Sequence, residues 1–250
     1  MIGRILWTAT LIGVGALTAG LQLDRQAERD PSVAPLVPAP LRAYAQLPIT
    51  AAALQGTDAA AALAEAETLV RRRPLPAEHL TLLAAAQAKA GEAEAATFSI
   101  AVAGERGWRD PVAQEAVLRI ALAGGDQAEA ARRYAALFRA PATPDALLAS
   151  LAPEVLGEPG GTGQQTFAEV LAAAPRWHAQ FLERGPRVLP PEAFALIAAK
   201  VLLSGAKLDC GQLGTGIAVL RGRDAGAAER LATAAAGRCR ELAPPGTFPL

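Results

Sequence analysis

Between Ala51 and Pro141 the chain is written in alanine-rich runs, each long enough for three or four helical turns and each ending at glycine or proline. Alanine has the best intrinsic helix propensity, and Gly and Pro are the residues that stop a helix. Val and Ile, which favour strands, are sparse, so sheet architectures are disfavoured and the chain is expected to be all-α. Hydrophobic residues make up 52% of the 250, which is too apolar for a disordered chain and enough for a real core. The 24 basic and 24 acidic side chains cancel, which argues against nucleic acid as a partner.

The runs have definite ends. Asp58 opens a helix that reaches Arg73 and stops at Pro74. A second runs from Pro76 to Ala90, a third from Glu92 to Arg106, a fourth from Pro111 to Gly124-Gly125, and a fifth from Asp126 to Arg139. Gly91 and Gly125 stand 34 residues apart, as do Ala96 and Ala130. Leu83 and Val117 share one position of this unit, Ile100 and Tyr134 another, and Pro74 and Pro141 lie near its close. On these residues the stretch from about 56 to 141 resembles degenerate tetratricopeptide repeats, whose unit is a 34-residue helical hairpin. The usual first-helix tryptophan and tyrosine are missing, and the usual glycine is Ala84 or Leu118. The resemblance implies an α-solenoid whose first helices line a concave groove. It places Glu78, Thr81, Ala85 and Lys89 there from one unit, and Val112, Glu115, Arg119 and Leu122 from the next. Such a polar and apolar mixture suits a peptide or protein partner, although the same residues would also be at home in solvent.

From Ile5 to Leu23 no residue is charged, a run of about 19 against the roughly 20 that cross a bilayer as helix. A retained anchor is the simplest reading, with the body exported; a signal peptide cleaved after Thr18-Ala19-Gly20 is the rival. Ala9, Gly13, Ala16 and Gly20 share one face of this helix. That face would let a second membrane helix pack closely, or it is the chance product of an Ala/Gly-rich segment. Pro31, Pro35, Pro38, Pro40 and Pro48 follow, and predict an extended, semi-rigid stalk.

After Pro144 the period fades into a short helix over 145–151 and a breaker-rich loop at 157–163. Helices resume over 164–174, 175–185, 190–204, 212–221 and 225–238. The expected order is therefore an anchor (1–23), a Pro-rich linker (24–50), helical repeats (51–160), a C-terminal helical domain (161–243) and a tail (244–250). More divergent helical pairs, stacked on the first set, fit the C-terminal region as well as a separate bundle does.

Familiar catalytic and metal patterns are missing. His79 and His178 have no partner at ligand spacing and read as surface or capping residues. Gly211-Gln-Leu-Gly214-Thr-Gly216 lacks the preceding strand and the Lys-Ser/Thr of a phosphate loop, and none of Ser32, Ser99, Ser150 and Ser204 sits in a nucleophile elbow. The pairs Glu65/Glu67 and Glu92/Glu94 read as solvated faces, and Arg71-Arg72-Arg73 as complementing a helix dipole. Trp177 and Phe181 read as core, and Trp108 as a packing residue between repeats. Cys210 and Cys239, in an oxidising compartment, form a disulfide or remain two buried thiols.

No catalytic residue, cofactor or metal is therefore expected. The layout also resembles that of bacterial envelope proteins. It implies a single-pass protein of the cytoplasmic membrane with its body in the periplasm. Its work would be to bind other envelope proteins, as a scaffold or assembly factor in secretion, polysaccharide export or cytochrome maturation. The alternatives are an accessory single-span subunit of a membrane complex and an enzyme acting on cell-wall glycan.

Overall fold

A computed structural model describes residues 2–242, and every regular element among them is helical. The expected tail at 244–250, with residue 243, lies outside the described residues. The chain divides into two compact units, Met1–Ala113 and Gln114–Leu250. The boundary expected near residue 160 is not a boundary of packing, because one core runs from Leu118 to Cys239 and includes Leu156, Phe167 and Leu171 on both sides of it.

The first unit begins with α1 (Ile2–Gln26), which is long and apolar enough to span a membrane and carries its apolar side chains exposed. The stretch after it is not the extended stalk that its prolines predict. Pro31–Leu36 and Ala39–Leu41 wind into 3-10 turns, and Ala27, Ala34, Val37 and Ala45 form a small core of their own with Leu23, Leu41 and Ile49. The organising group is Asp24. Its buried carboxylate accepts the backbone N–H groups of Ala43 (2.8 Å), Tyr44 (3.1 Å) and Ala45 (2.9 Å), just before α2 (Gln46–Gln55). A charge is tolerated inside only when it is hydrogen-bonded in this way.

Next come α3 (Ala59–Arg72), α4 (Ala77–Lys89) and α5 (Ala93–Arg106), packed pairwise in sequence with α2. Asp58 caps α3 as its sequence predicts, accepting from the Ala61 N–H at 3.0 Å. Gly91 makes the α4–α5 turn at φ 84°, a left-handed conformation that side chains resist.

α6 (Pro111–Ala123) and α7 (Gln127–Arg139) match α4 and α5 in length to within one residue and turn at Gly125, which has φ 74°. Asp126 caps α7 through the Glu129 N–H at 2.8 Å. The second unit continues with α8 (Asp145–Leu156), α9 (Thr162–Ala172), α10 (His178–Val188), α11 (Pro191–Leu203), α12 (Cys210–Arg223) and α13 (Ala225–Ala235). Its contacts skip along the chain. α7, α9, α11 and α13 pack in one row, and α8, α10 and α12 pack in a second. Two rows of alternate helices are the arrangement of stacked hairpins, in which each element touches its near neighbours only. The C-terminal region, for which stacked helical pairs and a separate bundle are equally expected, packs in these rows with α7 and α8, which precede residue 160.

Tyr134, Phe138, Phe167, Phe181 and Phe194 run through this stack as a chain of buried rings with centroids 5.0–6.4 Å apart. Gly185 makes room for them: a Cβ there would lie 2.8 Å from Phe194 Cδ2. Trp177, placed by its spacing on a helix with Phe181, instead ends a 3-10 turn, half-buried beneath the Arg139 guanidinium. Cys210 and Cys239 are joined with their Cα atoms 5.6 Å apart, tying the start of α12 to the chain after α13. By loop entropy, closing a loop across a 29-residue separation contributes about 3.6 kcal/mol.

Candidate functional site

The side chains expected in a concave groove divide between the two units, with Glu78, Thr81, Ala85, Lys89 and Val112 in the first and Glu115, Arg119 and Leu122 in the second. Thr81 is buried, its hydroxyl donating to Asp110 Oδ2 at 2.5 Å, and Asp110 in turn accepts the Val112 N–H at the start of α6. Lys89 turns inward and donates to the carbonyls of Leu54 and Gly56, satisfying the last carbonyls of α2. Glu115 and Arg119 bind each other at 2.7 Å along α6, while Glu78 and Ala85 are exposed. Val112 is exposed as well, and Leu122 packs against the core of the second unit. The repeat pattern assigns a face to each residue, but it carries no information about capping partners some 30 residues away.

On α1 the four small residues also divide. Gly20 packs against Leu41, whose Cδ1 lies 2.5 Å from where a Cβ would stand. Ala9, Gly13 and Ala16 remain exposed, with nothing within 4 Å of a Cβ on Gly13.

Both histidines, expected at the surface or in caps, are buried and serve helix ends. His79 Nδ1 lies 2.7 Å from the Arg73 carbonyl, beyond α3, and His178 Nε2 lies 3.1 Å from the Leu171 carbonyl. Burial pushes the His79 imidazole below its ordinary pKa; the Arg73 carbonyl opposes this and the Arg73 charge adds to it. The unfolded chain therefore takes up a proton near pH 6.5 that the folded chain resists. Stability is complete above that pH and declines as the pH falls through it. Thermal midpoints measured from pH 7.5 to 5.5 are expected to fall more steeply for the native chain than for His79→Gln. Equal slopes would refute the assignment.

Cys210, Cys239 and Glu241 lie close enough to hold a metal ion, but both sulfurs belong to the disulfide. The Arg71-Arg72-Arg73 run does more than complement a helix dipole. Arg72 donates to the Arg42 carbonyl at 2.5 Å, and the Arg73 guanidinium lies 4.2 Å from the Tyr44 ring centroid.

In the second unit, a surface open to another molecule lies on the α8–α10–α12 row. A groove of about 240 Å³ runs between α10 and α12, lined by Ala179, Leu182, Glu183 and Arg187 on one side and Thr215, Gly216 and Val219 on the other. Gly216 lets the two helices close up, since a Cβ there would meet the Leu182 carbonyl and Pro186 Cγ at 3.3 Å. The groove shares Glu183 and Arg187 with a second recess of about 340 Å³, formed by Pro141, Thr143, Asp145, Gln180 and Arg184. One end is therefore apolar and the other charged.

The charged end is anchored from below. Arg184 binds Asp145 at 2.5 Å, the Phe138 carbonyl at 2.8 Å and the Thr143 carbonyl, and it covers the Phe138 ring. Gln180 donates to the Phe138 carbonyl at 3.2 Å. The Thr143 hydroxyl is buried with no hydrogen-bond partner among the described residues. Glu183 and Arg187 stand above, both exposed and 3.9 Å apart, too far for a strong pair. On α7, in the opposite row, the charges pair with one another. Burial alone would raise the Glu129 carboxyl, but hydrogen bonds from Arg132 and Arg133 outweigh it and hold it below the usual range. Sequence reasoning missed this groove because α10 and α12 are neighbours in space but 32 residues apart in chain order, with nothing periodic to link them.

The fold and this groove define a class: an all-helical chain with one apolar helix able to cross a membrane and a body of packed helix pairs. No protein-family model, curated protein or solved structure matches the chain.

Proposed function

We propose that this chain is a membrane-tethered helical-repeat protein of tetratricopeptide-like kind, with its body in the periplasm, that binds other envelope proteins as a scaffold or assembly factor. The observation that carries the reading is the α10–α12 groove. It sets an apolar floor beside the exposed charges of Glu183 and Arg187. An extended or helical segment with an apolar anchor and a polar neighbour meets both. Arginine is enriched among the few residues that dominate binding energy at interfaces.

Affinity capture through the carboxyl terminus, followed by size exclusion in mild detergent, tests the proposal. A stoichiometric partner is expected to co-purify with the native chain. Arg187→Glu combined with Val219→Asp is expected to weaken its affinity by about tenfold or more, as loss of one or two interface anchors does. Retention of the partner at unchanged affinity would refute the groove as the binding surface.

A second reading, an accessory subunit held within the membrane, is favoured by the open face of Ala9, Gly13 and Ala16. The same capture separates the two readings. Gly13→Leu would release a partner held by the span and leave one held by the groove.

A further inference from the structure

We infer that the proline-rich turn Pro35–Leu41 is a membrane-seating collar, immersed in the interfacial zone of the leaflet from which the carboxyl end of α1 emerges. The inference rests on the reading of α1 as a membrane span and adds to it a second membrane-contacting element.

Depth is the first argument. The uncharged run Ile5–Leu23 is about 28 Å long as helix, at 1.5 Å per residue, against a hydrocarbon thickness of about 30 Å. It has no length to spare, so Leu23 stands at the boundary and Gly20 lies roughly 4–5 Å inside it. Leu41 packs directly on Gly20. The chain then climbs about one helical turn, to the level where Asp24 receives the N–H groups of Ala43, Tyr44 and Ala45. The turn before Arg42 therefore dips beside α1 to a level that the span itself places within the bilayer.

Composition is the second. Leu36 is 69% exposed, and Pro35, Pro38, Ala39 and Pro40 are exposed with it, an unpartnered apolar surface continuous with that of α1. Isolated apolar side chains on a surface need no explanation, but a run of them adjoining a membrane helix does.

Backbone accounting is the third. Unsatisfied amides are what usually bar irregular chain from a bilayer. Pro35, Pro38 and Pro40 have no N–H to satisfy. The N–H groups of Val37, Leu41 and Arg42 donate to the carbonyls of Ala34, Pro38 and Ala39. The carboxylate nearest the boundary, Asp24, is buried and saturated, and the cation of the turn, Arg42, is half-buried with its Nε donating to the Val37 carbonyl at 2.8 Å.

Charge settles which surface is meant. The exposed side chains just outside the boundary alternate in sign, with Arg25 and Arg29 interleaved with Glu28 and Asp30. Attraction to an anionic surface is therefore weak, and the seating is apolar. It should occur on a zwitterionic bilayer.

The test uses the full chain reconstituted in phosphatidylcholine vesicles. The two native cysteines are bonded to each other, so a single new thiol carries an environment-sensitive fluorophore without altering them. Labels are placed at Leu36→Cys and Ala39→Cys, at Ile12→Cys within α1, and at Glu94→Cys on exposed α5. Quenching is by lipids brominated near the head of the acyl chain or deep within it. The Leu36 and Ala39 labels are expected to emit at shorter wavelength than the Glu94 label and to lose most of their intensity to the shallow bromines. The Ile12 label should respond to the deep ones. Leu36 and Ala39 labels that behave as in water, while the Ile12 label is quenched, would overturn the collar and leave the span standing. An unquenched Ile12 label would overturn both. Two collar labels guard against local disturbance by either substitution.

Discussion

Replacing Phe181 with alanine is expected to lower the unfolding free energy of the second unit by about 3–5 kcal/mol, the cost of a large cavity in a tight core. Phe181 is fully buried and central: its ring lies 5.0 Å from that of Phe194, 6.2 Å from Phe167 and 6.3 Å from Phe138. The surrounding helices cannot collapse into the space, because Gly185 and Gly216 already bring α10 and its neighbours to close approach. Urea denaturation followed by near-ultraviolet dichroism measures the change, with Val219→Ala, on the exposed face of α12, as the comparison. A loss under about 1 kcal/mol, the size of an ordinary substitution, would mean that the five rings are not packed as one core.

The second large effect belongs to Asp24. Asp24→Ala leaves three N–H groups, those of Ala43, Tyr44 and Ala45, without their acceptor. Hydrogen bonds to a charged group and the burial of orphaned donors are together worth roughly 3 kcal/mol or more here. The readout is local. Amide exchange at these three positions should accelerate about a hundredfold, the equivalent of that energy, while amides in α11 and α13 keep their protection. Asp24→Asn should fall between, since one of its two side-chain atoms becomes a donor facing a donor. Unchanged exchange at Ala43–Ala45 in Asp24→Ala would dispose of the assignment.

These two positions also show what a sequence reveals and what it conceals. The helix limits from Asp58 to Arg139 are legible because their determinants are local. Asp58 and Asp126 cap residues three ahead, and Gly91 and Gly125 occupy turns that favour glycine. The proline segment is misread for the opposite reason. Its conformation is set by Asp24, 19 to 21 residues earlier, and by Gly20 offering space to Leu41. Taken alone, five prolines predict an extended chain; with a buried acceptor to organise them they coil. The burial of His79, His178 and Thr81 is concealed in the same way, because each answers a polar group on another element. The groove between α10 and α12 depends on alternate helices stacking in rows, an order that fading periodicity after Pro144 no longer displays.

The joint at Asp24 has a mechanical consequence. A flexible tether of the same 27 residues would let its cargo wander roughly 30 Å from the point of attachment and spin freely about it. The contacts of Asp24 and Gly20 remove both freedoms for α2 and the helices that follow it in the first unit. What α1 then supplies is azimuth rather than reach. As α1 rotates or tilts, α2 swings with it like a vane on a shaft. On the proposed reading of α1 as a membrane span, any neighbour that grips the open face of Ala9, Gly13 and Ala16 fixes a compass bearing for the first unit above the membrane plane.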